Sequence, residues 1–313
     1  MYLSHYALKE SPFSITPDTS FFMNRAGHQD ALNVLLVALR SGEGFIKVSG
    51  EVGVGKTLLC RMLMKKLGKG YATAYIHNPY LKPDTLLYAI ADALSVSYED
   101  NASQYVLLRS ITRKLLDLHC KGKKVVLCLD EVQAMPIQTL ETLRLLTNLE
   151  TEKRKLLQVV LFGQPELDKV LENPAIRQLK QRITFSYKLQ PLNDVALKTY
   201  VRHRLSVAGY TLKDLFSRQA LNCLKHYSGG IPRLINILCH KSMMLAYGEG
   251  ESRVKIRHMR LAVKDTVETQ GIRRPRFEVL LPGFTRWVFA SACVAVIAVS
   301  AHLAAVPIQE FFR

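Results

Sequence analysis

The chain of 313 residues reads as an α/β protein, a parallel sheet between helices, followed by an all-α domain and one long uncharged segment near its C-terminus. Three features predict this class. The run Gly50-Glu51-Val52-Gly53-Val54-Gly55-Lys56-Thr57 joins a β-rich stretch to an apolar-periodic one, as a strand-turn-helix unit does. Val125-Val126-Leu127-Cys128-Leu129 is continuously apolar and ends in Asp130-Glu131, the pattern of a strand buried on both faces with carboxylates at its C-terminal edge. From Pro191 onward the only periodicity is helical.

The elements follow in order. Residues 1–27, rich in proline and aromatics, read as an N-terminal linker segment. His28 to Arg40 is helical by spacing and stops at Gly42 and Gly44. Phe45 to Ser49 is a strand, Leu58 to Met64 a helix, Tyr71 to Ile76 a strand, Asp84 to Leu94 a helix begun by Pro83, and Gln104 to His119 another helix. After the Asp130 strand come a helix from about Pro136 to Glu150 and a strand from Leu156 to Phe162 that stops at Gly163-Gln164-Pro165. Alternation of this kind calls for a parallel sheet with helices on both faces. Leu192 to Val207, Leu215 to Tyr227, Pro232 to Tyr247 and Ile256 to Thr269 then build the helical domain. The expected boundaries are 28–189 for the α/β domain and 190–270 for the helical one.

The glycine-rich run fits G-x-x-x-x-G-K-[ST], the phosphate-binding loop. Its glycines let backbone N–H groups of Gly50, Glu51, Val52, Gly53, Val54 and Gly55 curl inward, and the following helix N-terminus adds a positive pole, so the loop is a cradle for phosphate oxygens. Lys56 would neutralise the β- and γ-phosphates and Thr57 would hold Mg²⁺. Asp130 suits the outer sphere of that ion, and Glu131, one residue on, can polarise the water that attacks the γ-phosphate. Loop and acidic pair in one chain point to nucleotide hydrolysis.

Composition sets limits on the alternatives. The six cysteines contain no C-x-x-C pair and fall mostly inside apolar runs, the pattern of reduced core residues, and the histidines are scattered, so neither a disulfide framework nor zinc is expected. The net charge of +17 is uneven. From Lys188 to Arg276 there are 17 Lys and Arg against 6 Asp and Glu, a surplus of 11 that belongs to the helical domain and its C-terminal linker. Such a surface can face anionic lipid, nucleic acid or only water.

The order of phosphate loop, Asp-Glu strand, Gln-ended strand, Arg-containing helix and helical lid with Gly229-Gly230-Ile231-Pro232-Arg233 resembles the AAA+ ATPases. Within them, Ser11-Pro12-Phe13-Ser14-Ile15-Thr16-Pro17-Asp18, Gly50 to Thr57, Gly163-Gln164-Pro165-Glu166-Leu167 and Gln181-Arg182-Ile183 are similar to the ExeA/GspA branch of secretion ATPases, over about residues 1–270. Met1-Tyr2-Leu3, the run from Ser41 to Val48 and Asn78-Pro79-Tyr80-Leu81 most resemble the ATPases of MSHA type IV pilus biogenesis. The resemblance implies ATP with Mg²⁺, a homo-oligomer, and pilus or secretion assembly proteins as partners. It also implies roles for single residues. Gln164 would sense the γ-phosphate, Arg182 would be an arginine finger entering a neighbour's site with Arg177 as its competitor, and Arg233 would be the lid sensor. Plainer readings stay open beside these: Gln164 as a turn residue before Pro165, and either arginine as a surface ion-pair former.

Trp287 to Val306 is twenty residues without a charge, spanning about 30 Å as a helix, the thickness of a bilayer core. Arg273, Arg274, Arg276 and Arg286 precede it, whereas Glu310 and Arg313 follow, so residues 271–286 read as a basic juxtamembrane linker, 287–306 as a transmembrane helix with the ATPase cytoplasmic, and 307–313 as a short tail. No signal peptide is expected at the N-terminus. Seven alanines with Ser291, Ser300 and His302 make the segment only moderately apolar, which leaves a packed or interfacial helix as the alternative. The function expected is a membrane-anchored ATPase of the bacterial inner membrane, supporting pilus or secretion assembly, with a DNA-associated regulator of the transposition type as the rival.

Overall fold

The hydrophobic pattern of β3 (Lys124–Leu129) accounts for the layering. Its side chains alternate between faces. Val125, Leu127 and Leu129 enter one buried cluster, and Val126 and Cys128 enter another. A strand apolar on both faces is stable only with helices above and below. A computed structural model describes residues 2–266 apart from 17, 24–26, 78–79, 100–101, 147–148, 151–154 and 213. The described residues fall in one compact unit. The expected membrane segment at 287–306 lies outside them. Among the described residues no helix is long and apolar enough to cross a membrane.

The chain runs through α1 (Tyr2–His5), α2 (His28–Ser41), β1 (Phe45–Ser49), α3 (Lys56–Leu67), β2 (Tyr71–Ile76), α4 (Pro83–Ala93) and α5 (Gln104–Cys120) to β3. It continues with α6 (Ile137–Leu146), β4 (Leu157–Gly163), α7 (Glu166–Val170), α8 (Arg177–Arg182) and β5 (Ile183–Lys188). The five strands pair in the order β2-β3-β4-β1-β5, every pair parallel. Leu86, Ile90, Leu107, Ile111, Leu140 and Leu143 from α4, α5 and α6 cover one face, and Leu32, Leu35, Leu59 and Leu63 from α2 and α3 cover the other.

The structure differs from the sequence reading in several places. The acidic pair lies beyond β3, which ends at Leu129, so Glu131 is a turn residue and not part of the strand. Ile183 to Lys188, which the sequence reading assigned to no element, is edge strand β5, with exposed side chains alternating with half-buried ones. Cys120 is exposed, whereas Cys60, Cys128 and Cys239 are buried.

The third cluster belongs to the helical part, α9 (Asp194–Val207), α10 (Arg218–Ser228), α11 (Pro232–Gly248) and α12 (Ile256–Lys264). Asn193 and Ser217 cap α9 and α10 through their side-chain oxygens, which is why those helices begin where they do. Tyr6, Leu8, Phe13, Phe21 and Met23 share this cluster, so the first residues, expected as a linker, pack into the helical core. Buried Arg204 fastens them. Its guanidinium donates to the Pro12 carbonyl, to the Tyr200 hydroxyl at 2.9 Å and to the Ser14 carbonyl at 3.3 Å, and lies 4.6 Å from the Phe21 ring centre. A buried cation needs this number of acceptors, because an unsatisfied one is costly.

Candidate nucleotide-binding site

In a parallel sheet all strands end on the same edge, and the crevice there is where ligands bind. The register brings Ser49 of β1 level with Gly163 of β4, and Leu129 of β3 level with Leu161. The residues that follow these strands therefore meet: the loop Gly50 to Thr57 after β1, Asp130 and Glu131 after β3, and Gln164 after β4. Strand β4 lies between the other two and centres Gln164 on the site.

The loop takes the conformation that its glycines permit. Gly53 has φ +80° and Gly55 φ +105°, a region L-residues avoid. A Cβ on Gly53 would lie 2.6 Å from Cβ of Arg233. Gly55 is the N-cap of α3, whose first turn carries no acidic residue, so its N–H dipoles keep their positive pole. The buried Lys56 Nζ folds back and donates to the carbonyls of Gly50 at 2.7 Å and Glu51 at 3.0 Å. Burial lowers the Lys56 pKa, while Glu131, Asp130, Glu51 and Glu166 oppose that shift.

The acidic side joins the loop directly. Thr57 Oγ1 donates to Asp130 Oδ2 at 2.7 Å. Asp130, fully buried, also accepts the Glu131 N–H on Oδ1 at 3.0 Å and the Tyr75 hydroxyl on Oδ2 at 3.3 Å. Burial and the Asp130 charge push the Tyr75 pKa far up, so that hydroxyl stays a donor. Glu131 sits at φ 55°, a conformation that few residues other than glycine adopt. Its carboxylate Oε2 accepts from Gln164 Nε2 at 2.9 Å and Gln133 Nε2 at 2.6 Å, while Gln133 Oε1 accepts the Gln164 N–H at 2.9 Å. Burial works to raise the Glu131 pKa, but these bonds and the charge on Lys56 outweigh it and hold the carboxyl below its ordinary value, ionised at neutral pH.

The donor set fits a nucleotide with Mg²⁺. The positive-φ loop, the unopposed helix N-terminus and the Lys56 amine suit phosphate, while one hydroxyl and one carboxylate in contact suit an ion that takes few protein ligands and fills its sphere with phosphate oxygens and water. Among the described residues no group of three or more His, Cys, Asp or Glu side chains could hold a metal by itself.

Of the remaining expected residues, Arg233 is at the loop: α11 starts there, and its backbone N–H donates to the Gly53 carbonyl at 3.1 Å. Its side chain is exposed. Arg182 is half-buried at the end of α8, whereas Arg177 is exposed at the start of that helix. Arg182 Nη1 donates to the Arg144 carbonyl at 3.1 Å, a bond that ties it to α6 and not to the phosphate loop.

Four neighbours escaped the sequence reading. Gln133 stands two residues after Glu131, where its spacing could have marked it. Tyr75 lies opposite Cys128 in the β2–β3 register, so only strand pairing reveals it. His77 stacks on Tyr75, with Nδ1 3.8 Å from Asp130 Oδ2. His28 reaches the loop from α2, with Nε2 2.8 Å from the Val54 carbonyl.

The fold and this site define a phosphate-loop domain with the donor set of a nucleotide site. Residues 39–171 match the AAA domain family. The chain is 42% identical over 273 residues to general secretion pathway protein A of Aeromonas hydrophila, a stretch that is 87% of this chain and 49% of that protein. The chain thus spans about half the length of this relative. Two solved structures share the fold: Cdc6p of Pyrobaculum aerophilum, at a TM-score of 0.63 and 20% identity over 79% of this chain and 70% of that one, and ORC2 of Aeropyrum pernix, solved with ADPNP and ADP, at 0.59 and 19% over 80% and 72%.

Replacing Gly53 by alanine should force a Cβ against Arg233 in a strained backbone, at a cost of about 1–3 kcal/mol. Titration with a fluorescent ATP analogue should show affinity lowered by about tenfold or more, and thermal unfolding should show that the variant still folds.

Proposed function

We propose that the chain binds ATP with Mg²⁺ and hydrolyses it as an oligomer, and that this activity supports assembly of an envelope machine. The observation that carries the proposal is the joined set Thr57, Asp130, Glu131 and Gln164 beside the buried Lys56 amine. In this proposal the loop N–H groups and Lys56 hold the phosphates. Thr57 and Asp130 hold the ion, which when bound neutralises charge on the phosphates. Glu131, ionised at neutral pH, draws the proton from an attacking water, and Gln164 fixes the carboxylate and offers its amide to the γ-phosphate. Arg233, in the first turn of α11, opposes the helix dipole there and gains from an anion at the loop, which suits a lid sensor. A finger must be able to reach a neighbouring subunit, and exposure favours Arg177 over Arg182 for that task.

The machine we propose is a type IV pilus of the MSHA kind, with this chain as its MshM-type ATPase, or the related type II secretion system. Support comes from the resemblance at Met1-Tyr2-Leu3 and Ser41 to Val48 and from the likeness to general secretion pathway protein A. The uncharged stretch Trp287 to Val306, with arginines on its N-terminal side, supports a single inner-membrane anchor with the ATPase cytoplasmic. The basic surplus of the helical domain supports the second reading, a DNA-associated regulator.

Lys56→Ala should weaken ATP binding by about 10- to 100-fold, the scale of a lost charged hydrogen bond. Glu131→Gln should bind ATP normally and turn over about 100-fold or more slowly. Equal loss of binding in both variants would remove the role given to Glu131.

ATPase activity per subunit should rise with protein concentration. Arg177→Ala should be inactive alone, by about a thousandfold, and should recover when mixed with Lys56→Ala, which still offers its own Arg177 to a neighbour. Recovery by Arg182→Ala instead would move the finger to Arg182, and concentration-independent turnover by a monomer would abolish it.

The full chain should remain with membranes after high-salt and alkaline washes, because salt screens arginines but does not reverse apolar insertion. Release by salt, together with duplex-DNA binding that falls steeply with salt, would favour the regulator.

A further inference from the structure

A side chain that meets the phosphate loop from outside the expected motifs is His28, the first residue of α2. Its Nε2 lies 2.8 Å from the Val54 carbonyl oxygen. A carbonyl can only accept, so the ring must carry its hydrogen on Nε2. Burial holds the His28 pKa below the ordinary histidine value, and a neutral ring has one N–H, here spent on the loop.

The position of the ring is determined from several sides. Tyr187 of β5 donates its hydroxyl to the Gly27 carbonyl at 3.1 Å, pinning the start of α2. Phe22 meets the imidazole edge to face at 6.2 Å. Leu32 and Leu35 of α2 share a buried cluster with Leu59 and Leu63 of α3, so the two helices do not slide independently. A Cβ on Gly55 would come 2.7 Å from Nε2, so the glycine leaves room for the imidazole as well as permitting φ +105°.

The peptide between Val54 and Gly55 is planar and trans, so its C=O and N–H point in opposite directions. Holding the carbonyl toward α2 turns the Gly55 N–H to the other side of the loop. Resting on the nucleotide-binding proposal above, we propose that His28 is a positioning residue for the phosphates: by fixing the Val54 carbonyl outward it presets the Gly55 N–H inward as a phosphate donor. His28 touches no reacting atom. Its effect is on affinity, because the loop would otherwise have to order itself when the nucleotide arrives.

The test uses the full chain with His28→Phe, which keeps a ring and loses the donor, and His28→Gln, whose amide nitrogen can donate from a similar reach. With ATP as the probe, His28→Phe should raise KM and the Kd of a non-hydrolysable analogue about five- to tenfold, the usual worth of one buried hydrogen bond. The kcat should change less than about twofold, and His28→Gln should return both constants to within about twofold of the wild type. In nucleotide-free protein, hydrogen exchange of the peptide covering Gly50 to Thr57 should be faster in His28→Phe than in the wild type or His28→Gln. Wild-type affinity and exchange in His28→Phe would overturn the proposal, and so would equal impairment of the two variants, which would make the ring a packing element. Were the wild type to bind no nucleotide, the function proposed above would fall, and the exchange comparison alone would decide the role of His28.

Discussion

The parallel register of β1, β4 and β3 is the constraint on which the rest of the structure depends. Because β4 is inserted between β1 and β3, three separate turns open side by side on one edge, and each brings one kind of chemistry. Ser49 leads into the glycine loop and Lys56, Leu129 into two carboxylates, and Gly163 into an amide. A slip of one residue in any pairing would carry Val126, Cys128, Val160 and Phe162 to the opposite face, against helices packed around other side chains. Burial of the sheet on both faces therefore keeps Thr57 within hydrogen-bond distance of Asp130.

The charges at that edge stabilise one another through a graded set of partners. Asp130 is fully buried and accepts hydrogen bonds from a threonine, a tyrosine and a backbone N–H, the kind of satisfaction a buried carboxylate requires. Glu131 is less enclosed, is held by two glutamine amides and has a lowered pKa. The two adjacent acids thus have different surroundings, one suited to holding an ion and the other to accepting a proton. Lys56 is the counterpart: burial lowers its pKa, and four carboxylates oppose that shift without cancelling it.

The helical domain reaches the loop through backbone contact, since the first turn of α11 donates from Arg233 to Gly53. The N-terminal segment ties into the same domain. Phe13 and Phe21 are buried among its helices, and Arg204 satisfies the carbonyls of Pro12 and Ser14. A few residues later in the chain, His28 contacts Val54. One stretch of sequence therefore touches both the helical core and the phosphate loop, which gives the early aromatic residues a packing role that their composition alone does not reveal.

Short-range pattern carried a large part of this in the sequence itself. The strands at Phe45, Tyr71, Val125 and Leu157, the helices between them and the loop from Gly50 to Thr57 were all legible, because periodicity and glycine placement act within a few residues. Strand β5 was under-read because an edge strand buries only half of each pleat and its apolar signal is weak. Tertiary structure decided every meeting between distant segments. Gln164 on Glu131, Tyr75 on Asp130, Arg182 on the Arg144 carbonyl and His28 on Val54 depend on strand order and helix packing, and neither has a local sequence code. The sequence by itself determined which chemical groups this protein carries at its strand ends. Only the folded sheet decided which of them share a hydrogen bond, because that depends on distances across strands and not along the chain.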